Sequence, residues 1–141
     1  VFLVKGWPFK VPLMGRYAKA AGNIALEDNK NFKSLREKVK KALEKNLKVI
    51  IFPEGTRSKC GKAGRFRSGA FALASELNAP IVPMAIKGLG ETIPKNKILI
   101  NSVDIKLTIL PEVKDFEKND TSASKMAKYI RNIIIKELEE K

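Results

Sequence analysis

The sequence predicts an α/β domain built on a mixed, largely parallel sheet flanked by helices, and three observations carry that prediction. Lys48–Phe52 (KVIIF) is an almost unbroken apolar run, the pattern of a strand buried on both faces of a parallel sheet. Phe32, Leu35, Val39, Leu43 and Leu47 recur at spacings of three and four just before it, which marks an amphipathic helix with a Lys-rich outer face. Strands alternate with helices early in the chain, and a strand-rich stretch follows later.

The remaining elements follow in order. Val1–Lys5 reads as a buried strand stopped by Gly6 and Pro8. Pro12 suits the first turn of a helix running to Ala21, with Gly22 as its stop. Asn23–Leu26 is a short strand. After KVIIF, Pro53–Arg67 has the glycines and charges of a loop, and Ser68–Leu77 is a helix of small and apolar residues ending at Asn78. Ile81–Ile86 is a strand interrupted by Pro83, which implies an edge position or a bulge. Ile98–Ile100 and the alternating Val103–Leu110 are further strands. Met126, Ile130, Ile133, Ile134 and Leu138 form the apolar stripe of a closing helix, with Asp120 or Thr121 as its N-cap.

No repeat, low-complexity tract or Ser/Gly linker divides the 141 residues, so one domain spanning 1–141 is expected. It opens at Val1 inside an apolar strand, and upstream sequence is expected to be missing from it.

Composition bounds the function. With 44% hydrophobic and 30% charged residues, a folded domain is expected rather than a disordered one. The net charge is +13 and uneven: residues 1–76 hold 17 Lys and Arg against 6 Asp and Glu, residues 77–141 hold 11 against 9. A basic half of that size attracts nucleic acid, an anionic bilayer or phosphorylated ligands. Solvated lysines on a helix face account for part of it, the Lys33–Lys48 stretch.

No run approaches the roughly 18 apolar residues of a membrane span, so a soluble or peripheral protein is expected. The lone Cys60 rules out an intrachain disulfide and mildly favours a reducing compartment. With no histidine, one cysteine and no clustered carboxylates, no metal is expected. A P-loop is excluded between Gly55 and Gly61-Lys62, because five residues separate the glycines and Ala63 replaces the Mg²⁺-binding hydroxyl. A basic nucleic-acid-binding module is the rival class. It lacks an aromatic platform and any RRM, KH or zinc-finger pattern here, and nucleic acid is not the expected partner.

The strongest local signal is Phe52-Pro53-Glu54-Gly55-Thr56-Arg57-Ser58, directly after KVIIF. Ligand sites of open α/β sheets lie beyond the carboxyl ends of strands. Pro53 ends pairing and Gly55 permits a turn that a side chain forbids. Thr56 and Ser58 offer hydroxyls, and Arg57 a planar fork matched to phosphate or carboxylate. Glu54 suits a hydroxyl or an arginine. The competing account is a tight turn with a surface Glu54–Arg57 ion pair worth under about 1 kcal/mol.

This run resembles the glycerol-phosphate-binding motif of the glycerolipid acyltransferases, the PlsC-like 1-acyl-sn-glycerol-3-phosphate acyltransferase family. Three more segments resemble the family in its order. Lys5-Gly6-Trp7-Pro8-Phe9-Lys10-Val11-Pro12-Leu13-Met14-Gly15 is similar to a Lys-containing strand leading to a Pro-x-x-Gly turn. Gly64-Arg65-Phe66-Arg67-Ser68-Gly69-Ala70-Phe71 is similar to a basic step into a helix. Ala79-Pro80-Ile81-Val82-Pro83-Met84-Ala85-Ile86 is similar to the family's Val-Pro-Ile-Val-Pro strand.

The resemblance implies transfer of a fatty acyl group from an acyl-CoA or acyl-carrier-protein thioester to the hydroxyl of a lysophospholipid such as lysophosphatidic acid. It implies no metal or organic cofactor beyond that donor, and work at a membrane surface on the cytoplasmic face. Phosphate and glycerol contacts are implied for Glu54, Gly55, Thr56, Arg57, Ser58 and Arg67, with Lys5, Lys30 and Pro83 as auxiliaries. The family's general base is a histidine followed five positions later by an aspartate. No histidine occurs in this chain, so that pair is expected upstream of Val1, and a catalytically dead lipid-phosphate binder is the alternative. A further departure is Asp28, which stands where the family places a phosphate-binding arginine. Finally, Trp7, Phe9 and Met14 beside Lys5, Lys10 and Arg16 read either as core and turn packing or as an amphipathic patch on lipid headgroups.

Overall fold

The computed structural model describes residues 1–26, 31–56, 63–88, 102–114 and 122–140. The chain divides between Phe52 and Pro53 into two compact units.

The first unit holds β1 (Phe2–Lys5), a 3₁₀ turn (Trp7–Lys10), α1 (Pro12–Ala20), β2 (Ile24–Leu26), α2 (Phe32–Glu44) and β3 (Ile50–Ile51). Its sheet is parallel in the order β2-β1-β3, with Leu3 opposite Ile24 and Ile51. Parallel neighbours cannot be joined by a hairpin, and helices make the crossovers here. Ala18, Ile24, Val39 and Ala42 are buried between helices and sheet.

Both helices end where a residue enters the left-handed region. At Gly22 (φ 69°), the amides of Gly22 and Asn23 donate to the carbonyls of Lys19 and Ala18 at 2.9 and 3.0 Å. At Asn46 (φ 56°), the amides of Asn46 and Leu47 donate to Leu43 and Ala42 at 2.9 and 3.0 Å. Each is a Schellman closure that satisfies the last carbonyls. The second explains why Leu47, apolar and in phase, lies beyond α2 and is exposed. The KVIIF strand is also shorter than expected. Only Ile50 and Ile51 pair, both half-buried, because β3 is the outer strand of its three-stranded sheet and has β1 on one side alone.

The second unit holds α3 (Gly69–Glu76), β4 (Met84–Lys87), β5 (Lys106–Ile109) and α4 (Ala123–Glu139). β4 and β5 pair antiparallel, Met84 with Ile109 and Ile86 with Leu107. Pro83 divides the expected strand as its missing N–H requires. Before it Ile81 forms an isolated bridge with Val113, and after it the ladder restarts at Met84. The Pro83 carbonyl still accepts from the Leu110 amide at 3.0 Å.

The α4 cap is Ser122, whose Oγ accepts from the Lys125 amide at 3.4 Å. Asp120, Thr121 and the expected strand Ile98–Ile100 lie outside the described residues. Phe66, Phe71, Met126, Ala127 and Ile130 form the core of this unit, with Ile133 and Ile134 packed against it. The α/β class with parallel and antiparallel pairing is as the sequence predicts, the two kinds of pairing falling in separate ladders.

Candidate functional site

The loop after β3 is closed on itself by backbone contacts. Arg67 donates its amide to the Pro53 carbonyl at 2.9 Å. Gly64 donates its amide to Glu54 Oε2 at 2.9 Å, so Glu54 holds backbone across ten residues. A Cβ on Gly64 would lie 2.8 Å from that oxygen, so a side chain there would make the Glu54 carboxylate shift. These two bonds pin residues 53–56 against 63–67.

Gly55 serves two needs. Its φ of 66° is in the left-handed region, and its bare face lies under the Arg67 side chain. A Cβ there would stand 3.1 Å from Arg67 Nε and 3.4 Å from Cζ. Arg67 and Thr56 are exposed while Glu54 and Gly55 are half-buried. The arrangement presents a guanidinium and a hydroxyl to solvent from a fixed backbone, the donor set that suits a phosphate monoester.

A residue the sequence did not single out completes the loop's support. From α4, Arg131 donates Nε to the Gly64 carbonyl at 2.6 Å and Nη2 to the Ala63 carbonyl at 2.9 Å. The signal was present: Ala127, Arg131 and Ile134 fall at helical spacing on the apolar side of α4, where a cation needs a partner. Beside this clasp is a cavity of about 260 Å³. Phe66 and Ala127 form its apolar wall, and Arg65, Lys128 and Arg131 with the Ser68 and Ser124 hydroxyls supply its polar lining. Among the described residues no carboxylate lines it. Its size suits a headgroup rather than a whole lipid, and its charge an anion.

Of the residues expected at the site, Glu54, Gly55, Thr56 and Arg67 come together in one loop. Arg57, Ser58, Lys30 and Asp28 lie outside the described residues. Lys5 ends β1 in the first unit and is exposed. Pro83 is buried at the break before β4, where its role is in the backbone.

The chain belongs to the acyltransferase family: the profile described as Acyltransferase matches residues 1–87, from β1 through β4. Among particular proteins, it is similar to the 1-acyl-sn-glycerol-3-phosphate acyltransferase of Limnanthes douglasii, 32% identical over 125 residues, covering 86% of this chain and 43% of that protein. It is also similar to the 1-acyl-sn-glycerol-3-phosphate acyltransferase BAT2, chloroplastic, of Brassica napus, 31% identical over 111 residues, covering 77% of this chain and 32% of the relative. The fold matches the crystal structure of the 1-acyl-sn-glycerophosphate (LPA) acyltransferase PlsC from Thermotoga maritima with a TM-score of 0.77 at 23% identity, over 99% of this chain and 55% of that one. The chain thus spans about half or less of each of these proteins. Ser124, Lys128 and Arg131 lie beyond the segment that the family profile matches.

Proposed function

We propose that this chain supplies the acceptor-phosphate grip of an O-acyltransferase that acylates the free hydroxyl of a lysophospholipid such as 1-acylglycerol 3-phosphate, giving phosphatidic acid. The observation that carries the reading is Arg67 laid over Gly55 in a loop tied by Glu54 to Gly64. Arg67 and Arg57 hold the phosphate, Thr56 and Ser58 donate to its oxygens or the glycerol, and the lipid is fixed with its hydroxyl forward. That oxygen attacks the thioester carbonyl, the C–S bond breaks, and the hydroxyl proton passes through a base to the departing thiolate. The base is the histidine that the resemblance supplies, and it comes from outside these 141 residues, which contain none.

The donor is an acyl-CoA or acyl-carrier-protein thioester, and no other cofactor is needed. The acceptor's long tail places the work at a membrane surface, on the cytoplasmic face. Among the described residues no helix is long and apolar enough to cross a membrane.

Titration of the chain with 1-acylglycerol 3-phosphate and with the matching monoacylglycerol tests the grip. The phosphorylated lipid should bind at least about tenfold tighter, since each charge-assisted hydrogen bond contributes about 1.5–3 kcal/mol. Arg57→Ala and Arg67→Ala should each erase most of that difference. Equal binding of the two lipids by the unaltered chain would refute the site.

A further inference from the structure

α1 is built inside out. Its buried positions are Gly15 and Ala18. Gly15 is drawn so close to the Phe9 carbonyl that a Cβ has no room there, and its amide donates to the Val11 carbonyl at 2.6 Å. The helix therefore rests on its smallest residues. At 3.6 residues per turn, Leu13 and Tyr17 fall on the opposite side, and they are 81% and 76% exposed. Met14 on the flank is 47% exposed, and Trp7 in the preceding turn 60%. Single exposed apolar residues need no explanation, but four large ones gathered on one turn and helix do.

Their charged neighbours are of one sign. Lys5, Lys10, Arg16 and Lys19 are exposed, and residues 1–26 contain no Asp or Glu. An apolar ridge carrying Trp and Tyr, whose charged neighbours among the described residues of this segment are cations, is complementary to an interface where hydrocarbon lies beneath anionic headgroups. We propose that Trp7, Leu13, Met14 and Tyr17 dip into the headgroup–acyl boundary of an anionic bilayer, with Lys10, Arg16 and Lys19 on lipid phosphates. An acidic protein groove or a second copy of the chain would also cover apolar area. Neither explains why the exposed charges among residues 1–26 are all cations, with the polar edges of Trp7 and Tyr17 set beside Leu13 and Met14. The assignment deepens the proposed function and rests on it for its purpose, delivery of a lipid acceptor from the membrane.

Trp7 is the only tryptophan in the chain, so its emission reports on this patch alone. With vesicles of phosphatidylcholine and phosphatidylglycerol, free of any lysolipid, Trp7 emission should shift to the blue and be quenched by lipids brominated in the upper acyl chain. Leu13→Ser combined with Tyr17→Ser should weaken partitioning by about tenfold or more, as loss of buried apolar area requires. Arg16→Glu combined with Lys19→Glu should weaken it by about tenfold on anionic vesicles and little on phosphatidylcholine alone. Arg67→Ala should leave vesicle binding intact while losing phosphate selection, which separates failure of this surface from failure of the acceptor site. An unquenched Trp7, or equal partitioning of wild type and L13S/Y17S, would overturn the proposal. So would a change from dimer to monomer in L13S/Y17S with vesicle binding unchanged, which would give the face to a second copy.

Discussion

The two units bury side chains of different size. Residues 53–140 bury Phe66, Phe71, Met126 and Ile130 in one cluster, and the rings of Phe66 and Phe71 stack at 6.4 Å. The same unit wires its loop to α4 through Arg131, over 67 residues of sequence. Residues 1–52 bury mostly small groups, Ala18 and Ala42 beside Ile24 and Val39, and turn Leu13 and Tyr17 outward. Apolar exposure is shared by both units, since Val82, Met84, Ile105, Leu107, Ile109 and Tyr129 of the second are exposed as well, and the contrast lies in the size of the side chains each buries. The difference teaches that aromatic rings close the core beside the loop, whereas small side chains let α1 pack close to its neighbours.

Truncation in each unit measures that contrast most strongly. Phe71→Ala should destabilise by about 3–5 kcal/mol, the cost of emptying a packed aromatic site. Leu13→Ser should change stability by no more than about 0.5 kcal/mol, as for other surface substitutions. Urea unfolding followed by circular dichroism compares them, and similar losses would erase the distinction.

A smaller effect sharpens the account of the loop. Arg131→Ala removes two hydrogen bonds from a charged donor and should cost about 1–3 kcal/mol. Faster hydrogen exchange at the Gly64 amide should accompany it, because the partner of Glu54 is no longer held from behind. Arg131→Lys, which keeps the charge but not the fork, should restore little of the protection.

The smallest effect lies at the alkaline end. Lys114 is 2.8 Å from Glu112, whose hydrogen bond and then whose charge raise its pKa above the usual 10.5. A raised folded pKa gives stabilisation that is full below the unfolded value and lost as pH rises through the folded one. Glu112→Gln should therefore flatten the fall of Tm with pH above about 10.5. An unchanged slope would assign the alkaline loss to other groups.

Much of this was legible in the sequence for local reasons. Gly22 fits a left-handed helix stop, Pro83 breaks a ladder by lacking an N–H, and Glu54, Gly55 and Arg67 lie within one loop. What escaped depends on distance and direction. Arg131 meets Gly64 only once α4 has packed, and the periodicity that marked the Ile stripe drew no attention to the cation beside it. In α1 Pro12 and Gly22 located a helix but not its covered side, because Gly15 and Ala18 give a weaker apolar signal than Leu13 and Tyr17. The alternation in β5 likewise gave the strand, while Ile105, Leu107 and Ile109 proved to be on an exposed face.

The grip itself can be watched directly through the Nε–H resonances of isotopically labelled arginine as glycerol 3-phosphate is added. The Arg67 resonance should move saturably with the phosphoester and stay still with glycerol, and Gly55→Ala, which pushes a methyl into that side chain, should weaken the response. An Arg67 resonance that ignores glycerol 3-phosphate, or answers glycerol equally, would contradict a phosphate held at this loop.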